Sequence, residues 1–172
     1  MADIEFHLLS KTIDTSGFDC GDDDLNDFLQ TDALENQDEW LSVTKVLVQN
    51  QRVVGYFTIT PDTLHKGRID FSDKLAGYPY QKYPAIKLAR LAVDKRYQHK
   101  GIGKMLMSEF FSSALDAVSI NGGRFITVDA KNSARSFYEM YNFKLVTSQK
   151  ISPIISMYLD FRSFYTKSLS LL

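Results

Sequence analysis

The chain has 172 residues, with 20 Lys or Arg against 21 Asp or Glu, a net charge of −1 and one cysteine, Cys20. That length suits a single domain with a substantial core, and one cysteine excludes an intramolecular disulfide scaffold and fits a reducing compartment. His7, His65 and His99 lie too far apart for metal-ligand spacing, no signal peptide is visible, and no apolar run reaches membrane-span length, so a cytoplasmic protein with no metal and no membrane contact is expected.

Residues 4–9 (Ile-Glu-Phe-His-Leu-Leu) read as an edge strand, and a turn follows at Thr15-Ser16-Gly17. Phe18-Asp19-Cys20-Gly21 leads into Asp22-Asp23-Asp24, after which Leu25, Phe28, Leu29 and Ala33 mark a helical face. Three aspartates there offset the helix dipole and can cap its free N–H groups; no further ligand accompanies them to make a metal site. Ser42 to Asn50 and Val53 to Thr60 read as strands of an antiparallel hairpin turning at Asn50-Gln51-Arg52. Gly55 inside the second strand signals a bulge or a close backbone approach. Residues 61–84, punctuated by Pro61, Gly67, Gly77, Pro79 and Pro84, read as irregular. Tyr78, Tyr80 and Tyr83 either line an acceptor cleft or plug the side of the domain, the second being the simpler reading.

The chain is organised around the next stretch. Ile86, Leu88, Leu91 and Val93 predict a strand over 85–93. A polar turn, Asp94-Lys95-Arg96-Tyr97, and Gln98-His99-Lys100-Gly101-Ile102-Gly103 lead to a helix whose face carries Leu106, Phe110, Ala114 and Val118. Strand, glycine loop and helix in that order leave free N–H groups at a helix N-terminus, a nest for anionic oxygens. Gln98 and Met105 break a Walker A loop, and Leu106 breaks a dinucleotide fingerprint.

Charge supports an anionic ligand here. Residues 1–40 hold twelve acidic side chains and only Lys11 as a base, whereas 81–104 hold seven bases against Asp94 alone.

After a turn at Asn121-Gly122-Gly123, Arg124 to Asp129 predicts a strand. Asn132-Ser133 is an expected N-cap for a short helix with Ala134, Phe137, Tyr138 and Tyr141, and Asn142 sits where left-handed geometry is wanted. Phe143 to Val146 and Ile155 to Leu159 predict a last hairpin with Pro153 in or near its connection. The tail 161–172 shows no clear period and packs on the body or on a second copy, which makes a homodimer one expectation.

Gln98-x-x-Gly101-x-Gly103 resembles the pyrophosphate loop of GNAT-type N-acetyltransferases, and 128–143, with Asn132, Ala134, Phe137-Tyr138 and Asn142-Phe143, resembles that family's second signature. The resemblance runs from about residue 18 to about 159. It implies one GNAT domain (core about 4–160, C-terminal tail 161–172) of α/β class, its mixed, mostly antiparallel sheet splayed between two central parallel strands, with helices on both faces. Phe18-Asp19-Cys20-Gly21, Leu25-Asn26-x-Phe28-Leu29, Val54-Gly55-Tyr56-Phe57-Thr58 and Arg90-Leu91-Ala92-Val93 are similar to the GNAT toxins of bacterial toxin–antitoxin modules, which acetylate the amino group of aminoacyl-tRNA. His99 departs from a common glycine and Asn142 replaces another.

What the resemblance implies is acetyl transfer from acetyl-coenzyme A to a primary amine by direct attack, without a covalent enzyme intermediate. Gln98, His99, Lys100, Gly101, Ile102, Gly103 and Lys104 would hold the pyrophosphate. N–H groups near Leu91, Ala92 and Val93 would meet the oxyanion, Asn132 the pantetheine arm, and Tyr138 would protonate the leaving thiolate. No general base stands out. The toxin-like reading makes aminoacyl-tRNA the acceptor and an antitoxin protein the partner; it competes with a small or protein amine as acceptor, and with a non-catalytic acyl-coenzyme A sensor. The acidic first forty residues run against a tRNA surface, which needs clustered cations.

Overall fold

The computed structural model describes residues 4–169, and the side chains of 4–168. Seven strands form one sheet in the order β1-β2-β3-β4-β5-β7-β6. Contacts group the chain into two units, residues up to 60 with 88–115, and 61–87 with those from 116 onward.

In the first unit β1 (Ile4–Leu8) is the edge strand expected, antiparallel to β2 (Val43–Gln49), itself antiparallel to β3 (Arg52–His65). The hairpin turns through Asn50 and Gln51 at φ 50° and 61°, the left-handed pair a two-residue type I′ turn requires. Gly55 meets both expectations placed on it. The register slips beside it, Leu47 pairing with Gly55 but Val48 with Val53. A Cβ at Gly55 would also lie 2.9 Å from Leu106 Cδ1 and 3.2 Å from the Ala92 carbonyl oxygen.

Between β1 and β2 run α1 (Asp23–Asp27), a π-type turn (Phe28–Asp32) and α2 (Ala33–Asp38). Phe28, Leu29 and Ala33 are buried with Val46, Val53 and Tyr56, as their spacing predicts. The aspartates act differently from the capping role expected. Asp22, at the N-cap, makes no side-chain cap bond, while Asp23 and Asp24 put negative charge in the first turn. β4 (Lys82–Val93) leads through the glycine loop to α3 (Ile102–Asn121), where Leu106, Phe110 and Ala114 are buried. Phe110 meets Phe57 edge-on at 5.9 Å.

In the second unit the irregular segment is shorter than expected. β3 runs through Pro61 to His65, because proline's fixed φ is compatible with extended backbone, and turns of 3₁₀ form at Lys66–Arg68 and Phe71–Asp73. Tyr83 is buried core: it stacks on Tyr78 at 4.4 Å and meets Phe125 edge-on at 5.1 Å, and its hydroxyl accepts the Leu75 N–H at 3.0 Å. The plug reading therefore holds for Tyr83 and Tyr78, while Tyr80 is exposed. β5 (Phe125–Lys131) pairs antiparallel with β7 (Ile154–Asp160), and β7 with β6 (Lys144–Leu145).

Two expectations here are corrected. Asn132 is not the N-cap of the short helix: a 3₁₀ turn (Asn132–Ala134) comes first, so α4 (Arg135–Glu139) begins three residues later with Ala134 at its cap. The tail is helical where described, as α5 (Phe161–Leu169). Its start is fixed by Asp160, whose carboxylate accepts the Ser163 N–H at 3.0 Å and the Ser163 hydroxyl at 2.9 Å and pairs with Arg124 at 2.6 Å. Residues 170–172 lie outside the described ones.

Candidate active site

The glycine loop is built outward from one buried carboxylate. Asp94 directly follows β4 and is fully buried. Oδ1 accepts the Arg96 N–H at 2.9 Å and Nε at 2.8 Å; Oδ2 accepts Arg96 Nη2 at 2.6 Å and the Asp19 N–H at 3.2 Å. Burial pushes this carboxyl up, but the Arg96 bonds outweigh it and hold it below the ordinary carboxylate range. Arg96 Nη2 also donates to the Gly17 carbonyl at 2.9 Å, and the Lys95 N–H to the Asp19 carbonyl at 2.8 Å.

The Phe-Asp-Cys-Gly motif is the other half of this brace. The Asp19 carboxylate pairs with Lys95 at 2.5 Å and accepts the Gly21 N–H at 2.8 Å and Asn26 Nδ2 at 3.1 Å, which together bring its pKa down to about 2, with Lys95 the largest cause. Gln98 completes the stitching. Its Nε2 donates to the Cys20 carbonyl at 3.0 Å and the Val93 carbonyl at 2.9 Å, so the side chain fixes the loop.

What the brace presents is main chain. Among the described residues the N–H groups of Gln98, His99, Lys100, Gly101, Ile102 and Gly103 make no short, well-aligned hydrogen bond, although the backbone turns through 95–101, while those of Lys104 and Met105 turn back to the Gly101 carbonyl at 3.1 and 3.2 Å. Gly101 sits at φ 84°, and a Cβ added there would meet nothing within 4 Å, so the loop is open. His99 is left-handed at φ 58°, which explains why glycine suits the position and shows that histidine can hold it. Ile102 is buried and seats the first turn of α3. Unspent N–H groups at the start of a long helix suit a diphosphate. Of the cations between 81 and 104, Lys87, Lys95 and Arg96 are paired with Asp129, Asp19 and Asp94. Lys100 reaches the Arg96 carbonyl at 2.8 Å and Arg90 lies over Phe28 at 4.8 Å. Lys104 is exposed and has no carboxylate partner among the described residues. The positive field is therefore weaker than the count of seven bases suggests. At the end of β4, Ala92 is buried and Leu91 and Val93 are half-buried.

In the second unit Tyr138 is buried on α4, its ring edge-on to Phe137 at 5.2 Å and Phe143 at 5.6 Å. Asn142, left-handed at φ 65° as expected, closes this helix by donating to the Glu139 carbonyl at 3.0 Å. Burial pushes the Tyr138 phenol up, so it carries its proton at neutral pH. Among the described residues its hydroxyl has no hydrogen-bond partner, which leaves it able to donate. Asn132 is exposed, and its N–H is fixed to the Pro153 carbonyl at 2.9 Å. Sequence reasoning missed Asp129, held by Lys87 at 2.6 Å and by the Ser156 hydroxyl at 2.6 Å. Burial raises this carboxyl, and the Lys87 and Ser156 bonds together with the nearby positive charge more than reverse that. Its partners come from strands far apart in sequence, so no local signal marks it. Among the described residues no group of three His, Cys, Asp or Glu is placed to hold a metal, and no helix is long and apolar enough to cross a membrane.

Comparison with known proteins spans both stretches of sequence. A family model described as an acetyltransferase (GNAT) domain matches residues 19–158. A tRNA-acetylating toxin of Mycobacterium tuberculosis (strain ATCC 25618 / H37Rv) is 27% identical over 150 residues, spanning 87% of this chain and 89% of its own length. Among solved structures, a mutant of KacT superposes with a TM-score of 0.85 at 25% identity, over 95% of this chain and 98% of its own. AtaT complexed with acetyl-methionyl-tRNAfMet gives a TM-score of 0.86 at 23% identity, over 96% and 99%, a likeness that speaks for the fold.

Proposed function

The chain belongs to the GNAT acetyltransferase family, and from that premise we propose that it transfers the acetyl group of acetyl-coenzyme A directly to the free amino group of aminoacyl-tRNA. The observation that carries the acceptor is the similarity to a tRNA-acetylating toxin along almost the full length of both chains. Bound acetyl-coenzyme A supplies the activated acetyl thioester. The N–H groups of Gln98 to Gly103 hold its diphosphate, and the Lys104 ammonium adds charge without a competing carboxylate. The Asn132 carboxamide takes the pantetheine arm, and N–H groups near Leu91, Ala92 and Val93 polarise the acetyl carbonyl. Tyr138 gives its proton to the departing thiolate, and the attacking amine loses a proton to water as the amide forms. The raised pKa of Tyr138 keeps its proton available at neutral pH. AtaT is known bound to the C-terminus of the antitoxin AtaR, and KacT in a KacTA–DNA complex. By extension, a cognate antitoxin protein restrains this enzyme.

The test is transfer of labelled acetyl from acetyl-coenzyme A to purified charged tRNAs, with spermidine and a mixed peptide pool as competing acceptors. Label that reaches charged tRNA and is released with the amino acid on mild base treatment is the expected result. Label on polyamine or peptide alone overturns the acceptor assignment, and no label on any amine overturns the transferase reading.

A further inference from the structure

Two aromatic rings of the second unit stand in water on a segment that is otherwise firmly held. Phe71 is 88% exposed and Tyr80 68%. Tyr80 meets the Tyr78 ring edge-on at 5.5 Å. Tyr78, stacked on buried Tyr83, donates its hydroxyl to the Lys82 carbonyl at 3.0 Å. The Tyr78 N–H donates to the Leu75 carbonyl at 3.2 Å, and the Leu75 N–H to the Tyr83 hydroxyl at 3.0 Å. The Lys74 N–H donates to the Phe71 carbonyl at 3.1 Å. A run of contacts therefore joins Phe71 to Tyr80. The Lys66 N–H, bonded to the Gln81 carbonyl at 2.9 Å, ties the end of β3 to the same segment. Rings held in place with most of their area in water are ready to stack on a flat ligand.

Charge selects the ligand. Residues 66–82 hold four bases, Lys66, Arg68, Lys74 and Lys82, against two acids, Asp70 and Asp73. Both acids are engaged from β6. Asp73 accepts Lys144 Nζ at 2.9 Å and the Tyr158 hydroxyl at 2.7 Å, and Asp70 pairs with Lys144 at 3.6 Å. Lys66, Lys74 and Lys82 have no carboxylate partner among the described residues. The Lys74 ammonium lies 5.8 Å from the centre of the Phe71 ring. An apolar peptide laid here would bury such ammonium groups without a counter-charge. A nucleic-acid duplex offers phosphates but keeps its bases stacked on one another. A single strand offers both phosphates and free base faces.

We propose that the 66–82 segment is a single-stranded RNA surface. Phe71 and Tyr80 stack on unpaired bases, and Lys66, Lys74 and Lys82 meet the backbone phosphates. For its ligand the surface rests on the aminoacyl-tRNA reading: the strand is the unpaired 3′ end that carries the amino acid. It supplies the cations that the acidic first forty residues lack.

Fluorescence anisotropy of the full chain with a short labelled single-stranded RNA, and with an RNA duplex of equal charge, tests this without any acetyl transfer. The single strand is expected to bind about tenfold more tightly than the duplex. Phe71→Ala/Tyr80→Ala should weaken it about tenfold with the salt slope unchanged. Lys74→Gln/Lys82→Gln should weaken both RNAs and lower the single-strand slope by about 1.4, two contacts at about 0.7 each. Lys11→Gln, at an exposed cation of the first unit, should change neither. Equal affinity for the duplex, unaltered binding in Phe71→Ala/Tyr80→Ala, or no binding overturns the proposal. Displacement of the RNA by a Glu-rich peptide of equal charge overturns it in favour of an acidic protein partner. In the transfer assay the ring variant should raise KM for charged tRNA about tenfold and leave KM for acetyl-coenzyme A unchanged. A parent KM for charged tRNA overturns this surface and leaves the acceptor assignment standing. Single-strand binding with no label on charged tRNA overturns the acceptor assignment alone.

Discussion

The loop after β4 and the helix that carries Tyr138 are held by opposite means. Residues 94–98 are fixed by polar groups: a fully buried Asp94, the Arg96 fork, the Asp19–Lys95 pair and the Gln98 carboxamide. Tyr138 is fixed by aromatic edges from Phe137 and Phe143. The difference matches the tasks assigned to each. A loop that offers bare N–H groups to an anion must hold its backbone without spending those groups, so side chains carry the scaffold. A phenol that gives up a proton needs a dry seat and an unshared hydroxyl, which aromatic neighbours provide.

The contrast can be broken most severely at the loop. Gly101→Glu adds a Cβ at φ 84° and a negative charge where the proposed site would hold the diphosphate, and should weaken coenzyme A binding beyond calorimetric detection. Retained binding would remove the loop from the site. Next, Tyr138→Phe should lower kcat by about 10²- to 10⁴-fold, the usual worth of a general acid. KM for acetyl-coenzyme A and Tm should stay near the parent values, because the hydroxyl supports no described part of the fold. A large fall in Tm with kcat intact would make Tyr138 a packing residue only.

Asp94→Ala should cost about 1–3 kcal/mol in urea unfolding, because it removes a buried acceptor from the Asp19 and Arg96 N–H groups while the half-exposed Arg96 side chain is left to water. Coenzyme A affinity should fall with it. Acid sharpens the comparison further. Asp19 and Asp94 both titrate below their unfolded values, so their contribution is complete above about pH 4. It is lost as pH falls from there toward about 2, the value reached by Asp19. Amide exchange over 95–103 should therefore rise in that window before the Tyr138 ring signals broaden. Simultaneous loss would show that the polar brace is not a separate support. The smallest effect is at His99. His99→Gly removes left-handed strain worth about 1 kcal/mol and should raise the urea midpoint slightly while leaving coenzyme A affinity within about threefold.

Much of this was readable in sequence because it is periodic or sterically singular. The faces of Phe28, Leu29 and Ala33 and of Leu106, Phe110 and Ala114, the left-handed Asn142 and the crowded Gly55 were all legible. What was not legible depends on partners distant in the chain. The Gln98 side chain bonds carbonyls at Cys20 and Val93, an arrangement set by tertiary contacts that the loop motif alone does not show. Asp94 looked like one residue of a polar turn because Asp19, whose N–H it accepts, lies 75 residues away. The tail helix was missed for lack of period, although Asp160, three residues before Ser163, is a capping pattern that could have signalled it.

The claim on which the rest depends is that unspent main-chain N–H groups of the loop bind the diphosphate. Amide NMR of the full chain titrated with coenzyme A, and separately with pantetheine, which has no diphosphate, tests it directly. Coenzyme A should shift the amides of Gln98 through Gly103, and pantetheine should leave them in place. Coenzyme A binding that leaves those amides unmoved would contradict the account.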